Sequence, residues 1–116
     1  MSRDYRLFLD DIKQCAEKVM CYTRAMSLQV FLHDDRTFDA VLRNLEIIGE
    51  AAKNIPEEVR LRHPHVQWQR LVGLRNVVAH KYFGMDEEIL WDIIQNHVPR
   101  LLEQFQQIIA EEDATE

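Results

Sequence analysis

Arg75 to Tyr82 reads RNVVAHKY and gathers a guanidinium, a carboxamide, an imidazole, an ammonium and a phenol into one short stretch. These are groups that can hold a phosphodiester and move protons around it. A guanidinium forks two phosphate oxygens at once, and an imidazole titrates near neutral pH, so it can take or give a proton. On a helix, Asn76 and His80 are four residues apart and share a face, while Arg75 lies about 140° round from His80. A long arginine closes that gap if the helix ends near His80, and Gly84 offers the left-handed backbone that commonly ends one. The motif is therefore expected at the C-terminal end of a helix, facing a cleft, with Tyr82 folding back toward the same pocket.

The elements that must carry this motif are helical. Gly and Pro number three each in 116 residues, and apolar residues recur at steps of three and four, which points to one all-α domain over residues 1–116. A first helix is expected from residue 2 or 3 to about 26, with Tyr5, Phe8, Ile12, Cys15, Val19, Tyr22 and Met26 as its seam. Leu28 to Leu32 is a short apolar stretch, and His33, Asp34 and Asp35 read as a turn and an N-cap region. The second helix, about 37–54, has its seam at Phe38, Val41, Leu45, Ile48, Ala52 and Ile55. Gly49 interrupts it at about 1 kcal/mol relative to alanine, a choice that close approach of another helix explains. Glu46 and Glu50 share a face there, as solvated charges or partners for an arginine across an interface, with no catalytic role assigned.

Pro56 to Arg62 reads as a short helix, broken by His63-Pro64-His65. The motif helix then runs from about 67 to 80, with Trp68 anchoring it against the first two helices. Asp86 is the expected N-cap of a last helix whose seam is Leu90, Ile94, His97, Leu101, Phe105 and Ile108; Pro99 should kink or split it, His97 reads as a core or interface histidine, and residues 111–116 as a frayed acidic tail. The expected architecture is an antiparallel bundle of four to five helices.

Composition narrows the function. The formal net charge is −6, yet Val59 to Met85 holds no Asp or Glu and carries +5, leaving −11 on the remainder. An island of positive charge around the motif suits a polyanionic partner, and Arg70 and Lys81 are its candidate phosphate contacts. Cys15 and Cys21 are spaced too widely for a disulfide within one helix and read as reduced core residues. No apolar run approaches the roughly 20 residues of a membrane span and the N-terminus lacks a leader pattern, so a cytoplasmic protein is expected. Neither His33 beside its aspartates nor His63 and His65 offer three or four convergent ligands, and no P-loop, GxGxxG, HExxH or CxxC is present, so no metal or cofactor is expected.

In order along the chain, NLEIIGEAAKNIP (Asn44 to Pro56), Trp68, GLRNVVAHKYF (Gly73 to Phe83), ILWDII (Ile89 to Ile94) and Pro99 together resemble the HepT-like toxins of the HEPN superfamily. The resemblance implies a small helical bundle that forms a homodimer, with both motifs lining a shared cleft, and a metal-independent endoribonuclease that is the toxin of a type VII toxin–antitoxin system. Residue by residue, it implies that Arg75 and His80 are the catalytic pair and Asn76 the supporting polar residue. Tyr82 would be the tyrosine to which a minimal nucleotidyltransferase antitoxin attaches AMP, with larger toxin–antitoxin assemblies open. A different class stays open beside it: a non-catalytic nucleotide- or substrate-binding subunit of a two-component nucleotidyltransferase.

Overall fold

The computed structural model describes residues 4–79 and 86–114, and every regular element among them is helical. The order is α1 (Tyr5–Thr23), α2 (Leu28–His33), α3 (Asp35–Lys53), α4 (Glu57–Arg62), α5 (Trp68–Ala79), α6 (Glu87–Asp92), a π-helical turn (Ile93–His97) and α7 (Val98–Ala114). Side-chain caps fix most of the starts. Asp4, Ser27, Asp34 and Asp86 each accept a hydrogen bond from a backbone N–H in the first turn that follows. At Asp34 the Thr37 N–H and hydroxyl hold the carboxyl below its usual range. The apolar stretch expected at Leu28 to Leu32 forms a helix of its own, because Ser27 caps it and Asp34 restarts the chain immediately after.

Four long rods build the bundle: α1, α3, α5 and the continuous α6–π–α7 rod. α3 packs on α1 and α5, and α7 packs on α1, so α5 and α7 form the outer pair. The core between them is Leu9, Ile12 and Val19 of α1, Val41, Leu45 and Ile48 of α3, Leu71 and Leu74 of α5, and Leu90, Ile94, Phe105 and Ile108 of the last rod. The seam read for the second helix matches α3 closely. On α1 the expected Ile12, Cys15 and Val19 are buried, but Leu9, Ala16 and Thr23 join them while Tyr22 and Cys21 are exposed. Cys15 alone of the two cysteines is buried, and burial pushes its thiol up.

The wide turn in the last rod follows from Pro99. Proline has no N–H to donate and its ring clashes with the carbonyl four residues back, so an undistorted α-helix cannot pass through it. Here the helix does not split. It widens by one residue over Ile93–His97, and the Val98 N–H reaches back to the Ile93 carbonyl. The buried line therefore continues Leu90, Ile94, Val98, Leu101, and His97, expected on the seam, is exposed.

The acidic tail is not frayed up to Ala114. Glu112 is 1% exposed and ends a buried polar cluster. Its carboxylate accepts from Arg62 Nη2 at 2.6 Å and Nε at 3.1 Å, from His63 Nε2 at 2.6 Å and from the Tyr5 hydroxyl at 2.8 Å. An ionised carboxylate only accepts, so His63 carries its proton on Nε2. These partners, Arg62 first, hold Glu112 at about 2 against burial, which opposes them. The same carboxylate raises the Tyr5 phenol. The start of α1, the end of α4 and the end of α7 are thereby tied together, which also sets α1 and α7 antiparallel.

Candidate active site

The close packing of α3 on α5 begins with one missing methyl group. A Cβ built at Gly49 would lie 2.9 Å from Arg75 Cγ, 3.1 Å from the Leu71 carbonyl oxygen and 3.2 Å from the Arg75 nitrogen. Only glycine allows the helices this near. The next residue, Glu50, then stands beside Arg75, and its Oε2 lies 2.8 Å from Arg75 Nη1. Glu50 is thus the partner of an arginine within this chain. The side chains are 52% and 45% exposed, so the pair faces solvent and adds little to stability, within about 1 kcal/mol. Its effect is directional. A guanidinium has five N–H donors, and with one nitrogen held by Glu50 the remaining edge is presented at a fixed angle beside α3.

Asn76 is exposed on the next position of α5, and Arg70 lies on α5 with Nη1 donating to Gln67 Oε1 at 3.1 Å. Arg75, Asn76 and Arg70 are thus all on one rigid helix, as the motif requires. His80, Lys81 and Tyr82 lie outside the described residues.

The positive island divides by role. Arg60 donates to the carbonyls of Ile55, Ala52 and Lys53 at 2.8–3.0 Å, satisfying acceptors left over at the end of α3. Arg62 and His63 belong to the Glu112 cluster. Trp68 donates through Nε1 to the His63 carbonyl at 3.0 Å and packs edge-on against Phe105 at 5.7 Å, so it also anchors α5 to the last rod. The island's open cationic charge on α5 therefore comes from Arg70 and Arg75.

The sequence reading of Glu50 as an arginine's partner holds, but which arginine depends on helix packing; Gly49 beside it was the available signal. His97 was misplaced. It is exposed, and its Nε2 lies 3.2 Å from Asp92 Oδ2, while Asn96 Nδ2 donates to Asp92 Oδ1 at 2.6 Å. Asn96 first, then His97, hold the Asp92 carboxyl below its usual range. No helix among the described residues is long and apolar enough to cross a membrane.

Comparison with known proteins gives a consistent result. Residues 12–108 match the sequence family described as ribonuclease HepT-like. A Thermococcus cleftensis protein named probable ribonuclease HepT is 37% identical over 108 residues, spanning 93% of this chain and 98% of its own length. A Methanocaldococcus jannaschii protein, provisionally named an RNase, is 41% identical over 107 residues, 92% of this chain and 88% of that protein. One from Caldanaerobacter subterraneus, also provisionally named an RNase, is 36% identical over 107 residues, 92% and 96% of the two chains. No solved structure matches the chain.

Proposed function

Because this chain belongs to the HepT-like ribonuclease family, we propose that it is a metal-independent endoribonuclease and the toxin of a type VII toxin–antitoxin pair. RNA carries its own nucleophile. The 2′-hydroxyl attacks the adjacent phosphorus, the bond to the 5′-oxygen breaks, and the products are a 2′,3′-cyclic phosphate and a 5′-hydroxyl. His80 takes the 2′-hydroxyl proton or gives one to the departing 5′-oxygen. Arg75 spans two phosphorane oxygens as negative charge grows, its fork angled by Glu50. Asn76 supports the phosphate or the imidazole.

One motif supplies one imidazole, whereas an acid and a base are wanted together. A two-fold homodimer with both motifs on a shared cleft provides the second. Arg70 and Lys81 add positive charge for RNA, in the cytoplasm. Tyr82 is the regulatory residue: AMP esterified to it by a minimal nucleotidyltransferase antitoxin places a phosphodiester charge and an adenosine where substrate phosphate would sit, in a hetero-oligomer of the two proteins.

The observation that carries this reading is the Arg75-to-Tyr82 motif lying within the family-matched stretch, with its arginine solvent-open beside Glu50. Two variants test it. His80→Ala is expected to lose cleavage and toxicity while keeping the parent's melting temperature; equal cleavage by parent and variant contradicts it. Tyr82→Phe is expected to give a toxin that the antitoxin cannot silence. Should both variants leave cell growth unaffected and AMP acceptance at Tyr82 alone persist in His80→Ala, the chain is instead the non-catalytic partner of a nucleotidyltransferase.

A further inference from the structure

α5 packs on α3 and α7 packs on α1, so the seam between α5 and the α6–π–α7 rod is left partly unfilled. A groove of about 390 Å³ runs there. Its floor is apolar, with Leu71, Leu74, Val77, Ile93, Val98 and Leu101. Its rim is cationic or protonatable, with Arg70 and Arg100 joined by His65 and His97. The one carboxylate lining it among the described residues, Asp92, is already held by Asn96 at 2.6 Å and His97 at 3.2 Å. That pairing exists because of the π turn. Residues five apart on an α-helix are about 140° apart, and the wider turn over Ile93–His97 closes that gap, turning Asp92 onto His97 within the groove.

In a chain of net charge −6, an apolar groove rimmed by two arginines against a single lining carboxylate among the described residues is an exception that calls for an anionic occupant. We propose that this groove binds a single-stranded segment of RNA, Arg70 and Arg100 taking its phosphates while bases lie on the apolar floor. The inference rests on the ribonuclease reading and deepens it. Arg75 projects from another side of α5, toward α3, so the groove is a contact surface separate from the Arg75–Glu50 pair.

A second copy of the chain fits the groove less well. In an interface of two-fold symmetry the same patch meets itself, which would bring Arg70 and Arg100 against their own copies with Asp92 already committed. Burying such charges without partners is costly. Single-stranded nucleic acid supplies both what the rim and what the floor need: phosphates at intervals and flat apolar bases.

The test measures binding apart from cleavage. In the His80→Ala full-length chain, anisotropy of a fluorescein-labelled 12-nucleotide oligouridine is followed from 50 to 200 mM salt. Arg70→Gln/Arg100→Gln is expected to weaken binding about tenfold or more and to flatten the log–log salt slope by about 1.4, the loss of two single-strand phosphate contacts. Arg24→Gln/Arg43→Gln, which removes two exposed charges elsewhere, is expected to leave binding unchanged. Equal weakening by the two pairs overturns the groove assignment. Unchanged binding in the groove pair, in a chain that otherwise cleaves RNA, overturns it while leaving the ribonuclease intact. A shift from dimer to monomer in Ile89→Asp or the groove pair by sedimentation, with RNA affinity retained, makes the occupant a second copy and also overturns it. No RNA binding and no cleavage by the parent removes both proposals together.

Discussion

Arg75 joins two properties that a single residue rarely combines. Its backbone is pinned against Gly49 and its guanidinium is both ion-paired and half-exposed. Replacing it by lysine keeps the charge but removes the planar fork. Arg75→Lys is therefore expected to lower kcat for RNA cleavage about 100-fold, the scale of losing one donor to a developing oxyanion, with KM and melting temperature near the parent's. Loss through KM alone would assign Arg75 to ground-state binding. Glu50→Gln keeps a hydrogen-bond acceptor but not the charge. It is expected to reduce kcat by less than Arg75→Lys, with stability moved by under about 1 kcal/mol. At this scale the motif was legible because residue type and spacing along one chain segment suffice to suggest phosphate chemistry. The identity of Glu50's arginine and the Asp92–His97 pair were not, because each depends on where another turn of helix lies.

The helices explain which contacts were readable and which were hidden. Local chemistry dictated their limits: Asp34 and Asp86 cap where an acceptor is needed, and Gly49 stands where α3 and α5 touch. The π turn was hidden because a proline inside a helix announces a disturbance without saying which one. Widening by one residue puts Val98 in the core in place of His97, while Leu101, Phe105 and Ile108 stay on the expected seam. Trp68 was read as a core anchor, but its partner, Phe105, belongs to the far rod.

The α3–α5 contact offers a sharp test of opposing effects. Gly49→Ala gains about 1 kcal/mol in helix propensity. It also drives a methyl group to 2.9 Å from Arg75 Cγ and 3.1 Å from the Leu71 carbonyl, where the backbone cannot yield cheaply. Overpacking of this kind costs about 1–3 kcal/mol. The net expectation is a loss of about 1 kcal/mol by urea unfolding, together with reduced cleavage as the Arg75–Glu50 pair is pushed apart. A more stable and equally active variant would show that the close approach has no part in placing Arg75.

Across the whole molecule, the Glu112 cluster fastens the chain's two ends to α4. Its carboxyl is held at about 2 in the folded protein against an ordinary 4.5. A depressed carboxylate stabilises above its unfolded value, so this contribution is fully present above about pH 4.5 and disappears as the pH falls toward 2. Urea midpoints at pH 6, 4 and 3 should therefore fall more steeply for the parent than for Glu112→Gln. Glu112→Ala should cost about 1–3 kcal/mol at pH 7, the cost of leaving buried polar partners such as His63 unsatisfied, since Arg62 is half-exposed and can turn to water. Parallel pH profiles in parent and Glu112→Gln would contradict the assignment. The cluster also shows why composition misled at the C-terminus. An acidic, polar tail reads as solvated until Arg62, His63 and Tyr5 are brought to one of its carboxylates.

The most direct measurement of the central claim is cleavage of a defined RNA by the purified chain in EDTA, with Tyr82 shown by mass spectrometry to be unmodified. It is run beside the same RNA carrying a single 2′-deoxy residue at the mapped cleavage position. The account predicts 2′,3′-cyclic phosphate ends from the all-ribose substrate, no cut at the deoxy position, and no cleavage of either by His80→Ala. Cutting at the deoxy position, or cleavage undiminished in His80→Ala, would contradict it.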